Sequence, residues 1–181
     1  MSVVLNGWNI DSMNVAVESI KEQPEAGKLA WKSTLNWDSG FGSDIKTNEI
    51  EQLGQVMKRS FTIRGDHPQE LLGNNTGPTA VETLMAALGS CMGGNFALQA
   101  TVRGVKIDAL KVDLESVIDL NGMFGLKDIR PGISDVKLSF HVKSDADNDT
   151  LQEILDAAQS LSPVFDSVSK PVDIKNILVK E

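Results

Sequence analysis

Apolar residues between positions 10 and 22 recur at the spacing of a helix, and the pattern then stops at Pro24 and Gly27. The apolar positions are Ile10, Met13, Val17 and Ile20. Residues three and four apart share one face of a helix, and proline and glycine end helices. The pattern predicts an N-terminal helix, so that residues 1–27 form a helical extension before a domain that spans residues 28–181.

From Lys28 onward the apolar residues alternate with polar ones, which is the spacing of a half-buried β-strand. The alternating positions are Leu29, Trp31, Leu35 and Trp37. The stretch DSGFG that follows predicts the turn of a β-hairpin. In the next alternating segment, Arg59 falls on the apolar face and Arg64 on the polar face. The apolar face of that segment comprises Met57, Phe61 and Ile63.

The long segment from Thr79 to Arg103 is apolar around most of its circumference when it is drawn as a helix. Thr79 and Glu82 match the capping box, in which a hydroxyl and a carboxylate three residues apart each accept a backbone N–H. Polar residues interrupt the segment too often for a membrane span, namely Glu82, Ser90, Asn95 and Gln99. The pattern predicts a long, buried central helix. A symmetric dimer would supply the surface needed to bury it on all sides.

The remaining apolar patterns predict two strands, a helix and a last strand. They cover residues 105–119, 136–142, 150–161 and 172–179, in that order. The first strand is expected to bend near Asp108, His141 falls on the polar face of the second, and Pro163 follows the helix. The chain is therefore predicted to be an α+β domain with the order β-β-β-α-β-β-α-β after the N-terminal helix.

Composition and charge narrow the classes of function. The chain has 181 residues, enough for one domain with its own core, and its net charge of -8 with scattered lysines argues against a nucleic-acid partner. No cationic segment followed by an apolar run opens the chain, so we expect a cytoplasmic protein without a membrane partner. One cysteine and two histidines exclude an internal disulfide and argue against a zinc site, so we expect no metal and no cofactor.

Cys91, the single cysteine, lies in the stretch GSCMG, which matches the G-x-(S/C)-x-G pattern of a nucleophile elbow. An elbow requires a strand before the nucleophile, whereas the residues before Cys91 are capped and periodic as a helix. The possible bases, His67 and His141, fall in a loop and on a solvent-facing strand, so we reject a cysteine hydrolase. The residues alone also permit an inert thiol in a packed helix, whose nearby glycines admit a close neighbour. These glycines are Gly89, Gly93 and Gly94.

Two stretches carry a family resemblance. GPTAVETLMAALGSCMGGN resembles the OsmC/Ohr family, in which a Gly-Pro-rich loop leads into E-x-L-x-x-A-x-x-x-C on a long central helix. SLSPVFDSVSKPVDI resembles the family segment that carries a second cysteine. With the matching element order, the resemblance covers about residues 28–181 and identifies a divergent member with one cysteine. It implies an intertwined homodimer, with two central helices wrapped by sheets, and thiol-dependent reduction of organic hydroperoxides.

The resemblance also implies roles for individual residues. Cys91 stands at the peroxidatic cysteine, whose thiolate attacks the peroxide O–O bond. Glu82 stands at a glutamate that helps hold a thiolate-stabilising arginine, although the capping box explains this residue equally well. Nine residues of helix place Glu82 and Cys91 on opposite sides and about 13 Å apart along the axis. We therefore expect any Glu82 that acts on Cys91 to come from the partner subunit. A pocket for the organic part of the peroxide would be lined by Met92, Phe96 and Phe165.

Two departures from the family pattern leave the activity open. Ser162 stands where the resemblance places the resolving cysteine, so an external thiol would have to reduce an oxidised Cys91; before Pro163, this serine is also a good helix N-cap. The stretch DSGFGSDIKTNEI lacks the family's arginine. Arginines that could replace it, unless they are structural or solvated, are Arg59, Arg64 and Arg130. The alternative function is a non-enzymatic OsmC-like protein that binds a small apolar or thiol-containing ligand.

Overall fold

The computed structural model describes residues 3–180, which fall into two units divided between Leu84 and Met85. The first unit opens with a short hairpin, β1 (Val4–Leu5) and β2 (Trp8–Asn9), and continues into helix α1 (Ile10–Glu22). The side chain of Asn9 accepts the backbone N–H of Ser12 and so caps α1. The predicted N-terminal helix is confirmed, whereas the division of the chain at residue 27 stays a prediction.

Three antiparallel strands follow α1, in the sheet order β3-β4-β5. Their bounds are β3 (Ala30–Ser39), β4 (Gly42–Gln52) and β5 (Gln55–Gly65). The register pairs Leu35 with Ile45 and Ile45 with Ile63, so apolar residues lie next to each other across the sheet. The predicted hairpin and third strand are confirmed, but the apolar face is largely exposed, since Trp31 keeps 67% and Phe61 57% of its accessible surface.

Helix α2 (Ala80–Val102) begins at the predicted capping box. The backbone N–H of Thr79 donates to Glu82 Oε2 at 2.7 Å, and the backbone N–H of Glu82 donates to Thr79 Oγ1 at 3.1 Å. Each side chain therefore satisfies a backbone donor that the first turn of a helix leaves free. Within one chain, α2 is buried along one side only, since Leu84 and Val102 are exposed. Burial on all sides stays a prediction that depends on the dimer.

The second unit packs α2 against a two-stranded antiparallel sheet. The further elements are β6 (Ala109–Val117), α3 (Leu120–Met123), β7 (Asp135–Lys143), α4 (Asn148–Ser160) and α5 (Pro163–Ser169). Two core clusters of buried side chains lie along α2, one around Leu88 and Met92 and one around Phe96 and Ile154. A methyl group at Gly89 would come within 2.8 Å of the Leu114 side chain, so this glycine permits close approach of α2 to β6.

The last predicted strand is not formed in the chain that the structure describes. Residues 171–180 are exposed and belong to neither helix nor strand. A segment of apolar or alternating apolar and polar residues favours an extended backbone. A β-strand also needs a neighbouring strand whose N–H and C=O groups hydrogen-bond to its own. The strand predicted over 105–119 is likewise shorter, because the β6 ladder with β7 begins at Ala109. In residues 3–180, no helix has both the length and the apolar character needed to cross a membrane.

Candidate thiol site

Cys91 lies in the middle of α2, and its sulfur is 3.1 Å from Ser162 Oγ. Either atom can be the donor of this hydrogen bond. The Cys91 residue is partly exposed, whereas Ser162 is 1% exposed. Residue 91 is helical, so the nucleophile elbow is excluded as predicted. The structure therefore joins two residues that are far apart in sequence into one sulfur–hydroxyl pair.

Ser162 is also the N-cap of α5, as its position before Pro163 predicts. Its Oγ accepts the backbone N–H of Phe165 at 3.2 Å, and Pro163 occupies the first helical position. Proline suits that position because its fixed φ is helical and no N–H is left without a partner there. One hydroxyl thus contacts both the thiol of α2 and the first turn of α5.

Asn95, one helical turn after Cys91, fastens the same side of α2 to the end of α4. Its Nδ2 donates to the backbone carbonyl of Ala158 at 2.7 Å. This bond fixes the segment that leads into Ser162 and so helps to set the distance between the hydroxyl and the sulfur. Sequence reasoning missed this role. The available signal was an amide one turn from the cysteine on a helix that is otherwise apolar.

The three residues predicted to line a pocket are packed in the second unit. Met92 and Phe96 are 2% and 1% exposed, and the Phe96 ring lies 5.5 Å from that of Phe140. Phe165 is partly buried and packs against the cluster that contains Met92. Their packing explains why these positions are apolar, and their contact with a substrate stays a prediction.

Glu82, the second predicted catalytic residue, belongs to the first unit and is engaged in the cap of α2. Hydrogen bonds with Thr79 hold the pKa of this carboxyl below its usual range, and the bond from the backbone N–H has a larger effect than the one with the side chain. Glu82 also borders a cleft of about 460 Å³ together with the loop before α2. The structural interpretation of Glu82 is therefore confirmed, and its action on a thiol stays a prediction.

The candidate arginines have other partners or lie in solvent. Arg64 forms ion pairs with Asp38 at 2.7 Å and Asp44 at 3.3 Å. The hydrogen bond to Asp38 raises the pKa of the Arg64 guanidinium above its usual value. Arg59 lies over the Phe61 ring at 4.7 Å from its centroid, as their shared strand face predicts. Arg130 is exposed in the loop before β7. Among residues 85–180, no lysine or arginine nitrogen hydrogen-bonds to the Cys91 sulfur.

Asp66 is a buried carboxylate that sequence reasoning did not single out. It is 1% exposed and accepts hydrogen bonds from the backbone N–H groups of His67, Asn74 and Thr76 and from the Thr76 hydroxyl. These bonds, the Thr76 hydroxyl first, hold the pKa of Asp66 far below its usual range. The carboxylate organises the loop before α2. An aspartate at the start of a Gly- and Asn-rich loop was the available signal.

The chain belongs to the OsmC-like protein family, whose family model matches residues 73–176. No curated protein matches the chain significantly. An OsmC-like protein of Mycoplasma pneumoniae matches with a TM-score of 0.59 at 17% identity, over 78% of this chain and 87% of that one. The organic hydroperoxide resistance protein OhrB of Bacillus subtilis matches with a TM-score of 0.50 at 19% identity, over 81% and 95%.

A third similar structure is a putative organic hydroperoxide resistance protein of Vibrio cholerae with captopril bound in one of its active sites. It matches with a TM-score of 0.52 at 13% identity, over 76% of this chain and 83% of that one. At these identities the three structures establish the fold alone. The α+β, OsmC-like fold expected from the sequence is thereby confirmed.

Proposed function

We propose that this OsmC-like protein is a one-cysteine thiol peroxidase, which reduces organic hydroperoxides through Cys91 and is regenerated by an external thiol. The observation that carries the proposal is the contact of Cys91 Sγ with Ser162 Oγ at 3.1 Å. A hydroxyl can donate to a thiolate and stabilise it without accepting its proton. Cys91 is only partly buried within one chain, and the proposed reaction requires that a small peroxide can reach its sulfur. Similar folds in two proteins named for organic hydroperoxide resistance support the same substrate class.

In the proposed reaction, the Cys91 thiolate attacks the terminal peroxide oxygen and the O–O bond breaks. The organic part leaves as an alkoxide that takes up a proton, and Cys91 becomes a sulfenic acid. An external thiol then forms a mixed disulfide with Cys91 and releases water, and a second external thiol frees Cys91 as an external disulfide forms. Because Cys91 is the single cysteine, no internal disulfide can replace these two steps. The need for external thiols suits a reducing compartment such as the cytoplasm.

The proposal includes a homodimer, in which Glu82 of the partner subunit tunes Cys91 together with an arginine. Two surfaces that one chain leaves uncovered support the homodimer. They are the exposed apolar face of the β3-β4-β5 sheet and the exposed side of α2. Large exposed apolar patches are typical of protein interfaces. Arg59, Arg64 and Arg130 remain the candidates for the thiolate-stabilising cation.

The central test is stopped-flow reaction of the reduced protein with cumene hydroperoxide and with hydrogen peroxide, and mass spectrometry to detect the sulfenic acid. We expect fast oxidation of one thiol per chain, faster with the organic peroxide, and no reaction in Cys91→Ser. A rate no greater than that of free cysteine at the same pH would refute the peroxidase.

A second experiment replaces the Ser162 hydroxyl with a thiol. In Ser162→Cys, the new sulfur would lie near Cys91, and an S–S bond of about 2.05 Å needs only a small approach of the two side chains. We expect one equivalent of peroxide to convert this variant to an internal disulfide, detected by the loss of both free thiols. The double variant Cys91→Ser/Ser162→Cys is the control and should keep its thiol.

The second candidate is a non-enzymatic protein that binds a small apolar or thiol-containing ligand. It is favoured by the lack, among residues 85–180, of a basic side chain hydrogen-bonded to the sulfur, because thiolates generally depend on nearby positive charge. In the similar Vibrio cholerae protein, captopril is bound in an active site. Saturable binding by calorimetry, with no oxidation of Cys91 by peroxide, would favour this function over the peroxidase.

A further inference from the structure

The contacts of the Ser162 hydroxyl leave the sulfur of Cys91 as the acceptor for its O–H. A serine hydroxyl carries one O–H donor and two acceptor positions. The backbone N–H of Phe165 donates to Ser162 Oγ at 3.2 Å and so occupies one acceptor position. The sulfur of Cys91 lies 3.1 Å from the same oxygen. Since Ser162 is 1% exposed, water does not compete for the O–H. When Cys91 loses its proton, the sulfur can only accept, so the hydroxyl must be the donor.

The backbone around Ser162 holds this hydroxyl in place. The Ser162 N–H donates to the Gln159 carbonyl at 3.3 Å, and the Asp166 N–H donates to the Ser162 carbonyl at 3.0 Å. The bond from Asn95 to Ala158 fastens the preceding helix to α2. A donor that is already fixed loses little conformational freedom when charge appears on the sulfur. Because the buried hydroxyl lies against one side of the sulfur, a reactant would have to approach the sulfur from another side.

We infer that Ser162 is a positioning residue for Cys91: its buried hydroxyl donates to the sulfur, favours the reactive thiolate and holds the sulfur in place. This inference rests on the proposed function, in which the thiolate is the nucleophile. It assigns to Ser162 a role in reactivity that goes beyond capping α5. Capping requires only that Oγ accept the Phe165 N–H, whereas the positioning role requires the O–H.

The test is the pH profile of Cys91 alkylation by iodoacetamide in the folded protein, which needs no peroxide. In Ser162→Ala, we expect the profile to move to higher pH and the rate at pH 7 to fall about three- to tenfold, as for the loss of one hydrogen bond. Ser162→Gly is the second variant, because glycine is tolerated at an N-cap better than alanine, and it should show the same change. Circular dichroism at each pH verifies that the variants are folded.

Asp147→Ala is the matched control, since Asp147 caps α4 by accepting the Thr150 N–H at 2.8 Å. It loses a helix cap in the same unit without touching the sulfur, so its profile should equal that of the unmodified protein. A profile unchanged in both Ser162 variants, or shifted equally in Asp147→Ala, would overturn the inference. A shift in the Ser162 variants of a protein that reduces no peroxide would uphold the role of Ser162 and refute the peroxidase.

Discussion

The two units bury their apolar residues to different extents. In the second unit, one side of α2 packs on the β6-β7 sheet, and side chains such as Leu88 and Phe96 are almost fully enclosed. In the first unit, the β3-β4-β5 sheet has an apolar face whose aromatic side chains, Trp31, Trp37 and Phe61, remain largely exposed. The second unit therefore has a core of its own within one chain. The first unit has an apolar sheet face that is not covered within one chain, and we expect another surface to cover it.

The two units also bury their polar groups differently. Asp66 in the first unit is satisfied entirely by donors of its own loop. Ser162 in the second unit divides its hydrogen bonds between a helix end and the Cys91 sulfur. A group that is satisfied by its own segment stabilises that segment. A group shared with a thiol can also affect the chemistry of that thiol, and the proposed reaction at Cys91 depends on such a group.

The largest effect is expected from a charge on the exposed apolar face of the β3-β4-β5 sheet. Phe61→Asp would place a charge on the apolar face of β5, at the surface that the proposed dimer covers. Burial of a phenylalanine contributes about 1.5–3 kcal/mol, and a symmetric interface contains the residue twice. We expect the dissociation constant of the dimer to rise at least about 100-fold, measured by sedimentation velocity.

Ser60→Asp is the control for that experiment, because neighbouring residues of a strand point to opposite faces. It adds the same charge to the polar face of β5 and should leave the dimer intact. If both variants have the dissociation constant of the unmodified protein, the apolar face of the sheet is not an interface between copies.

The buried carboxylate of Asp66 should make the stability of the protein depend on pH. Its depressed pKa means that the folded state favours the charged carboxylate, which stabilises the fold above the unfolded-state pKa of about 3.9. This stabilisation is lost as the pH falls. We expect Asp66→Asn to lower the urea midpoint at pH 7, since an amide cannot accept all four donors, and the difference from the unmodified protein to narrow below about pH 5.

Urea unfolding followed by circular dichroism between pH 3 and pH 7 measures this effect. Glu70→Gln removes an exposed carboxylate from the same loop and should not reproduce it. A difference for Asp66→Asn that stays constant down to pH 3 would contradict the assignment of the stabilisation to the charged carboxylate.

The smallest expected effect concerns the spacing of α2 and β6 in the second unit. Alanine is favoured over glycine in a helix by about 1 kcal/mol. A methyl at Gly93 would meet Val112 at an ordinary 3.7 Å, so Gly93→Ala should raise the free energy of unfolding by up to about 1 kcal/mol. A methyl at Gly89 would meet Leu114 at 2.8 Å, and overpacking should leave Gly89→Ala about 1–3 kcal/mol below Gly93→Ala. Equal stabilities in urea unfolding would show that Leu114 yields without cost.

Local patterns predicted the elements whose signals lie within a few residues. The capping box of Thr79 and Glu82 and the start of a helix after Ser162 depend on hydrogen bonds that span three residues, so the sequence contains both partners together. The shared face of Arg59 and Phe61 follows from strand alternation. By contrast, the bond from Asn95 to Ala158 joins residues 63 positions apart, and no periodicity indicates such a pairing.

Sequence patterns were sufficient to predict the N-terminal helix, the first three strands, the capped central helix and the fold class, because hydrophobic period, turn residues and caps act over short distances. It also indicated, by resemblance, that positions 91 and 162 belong to one site. The three-dimensional packing was needed to show that the Ser162 hydroxyl lies 3.1 Å from the sulfur of Cys91, and that residues 171–180 form no strand within the described chain. Both outcomes depend on a distant partner, and the position of that partner is set by packing.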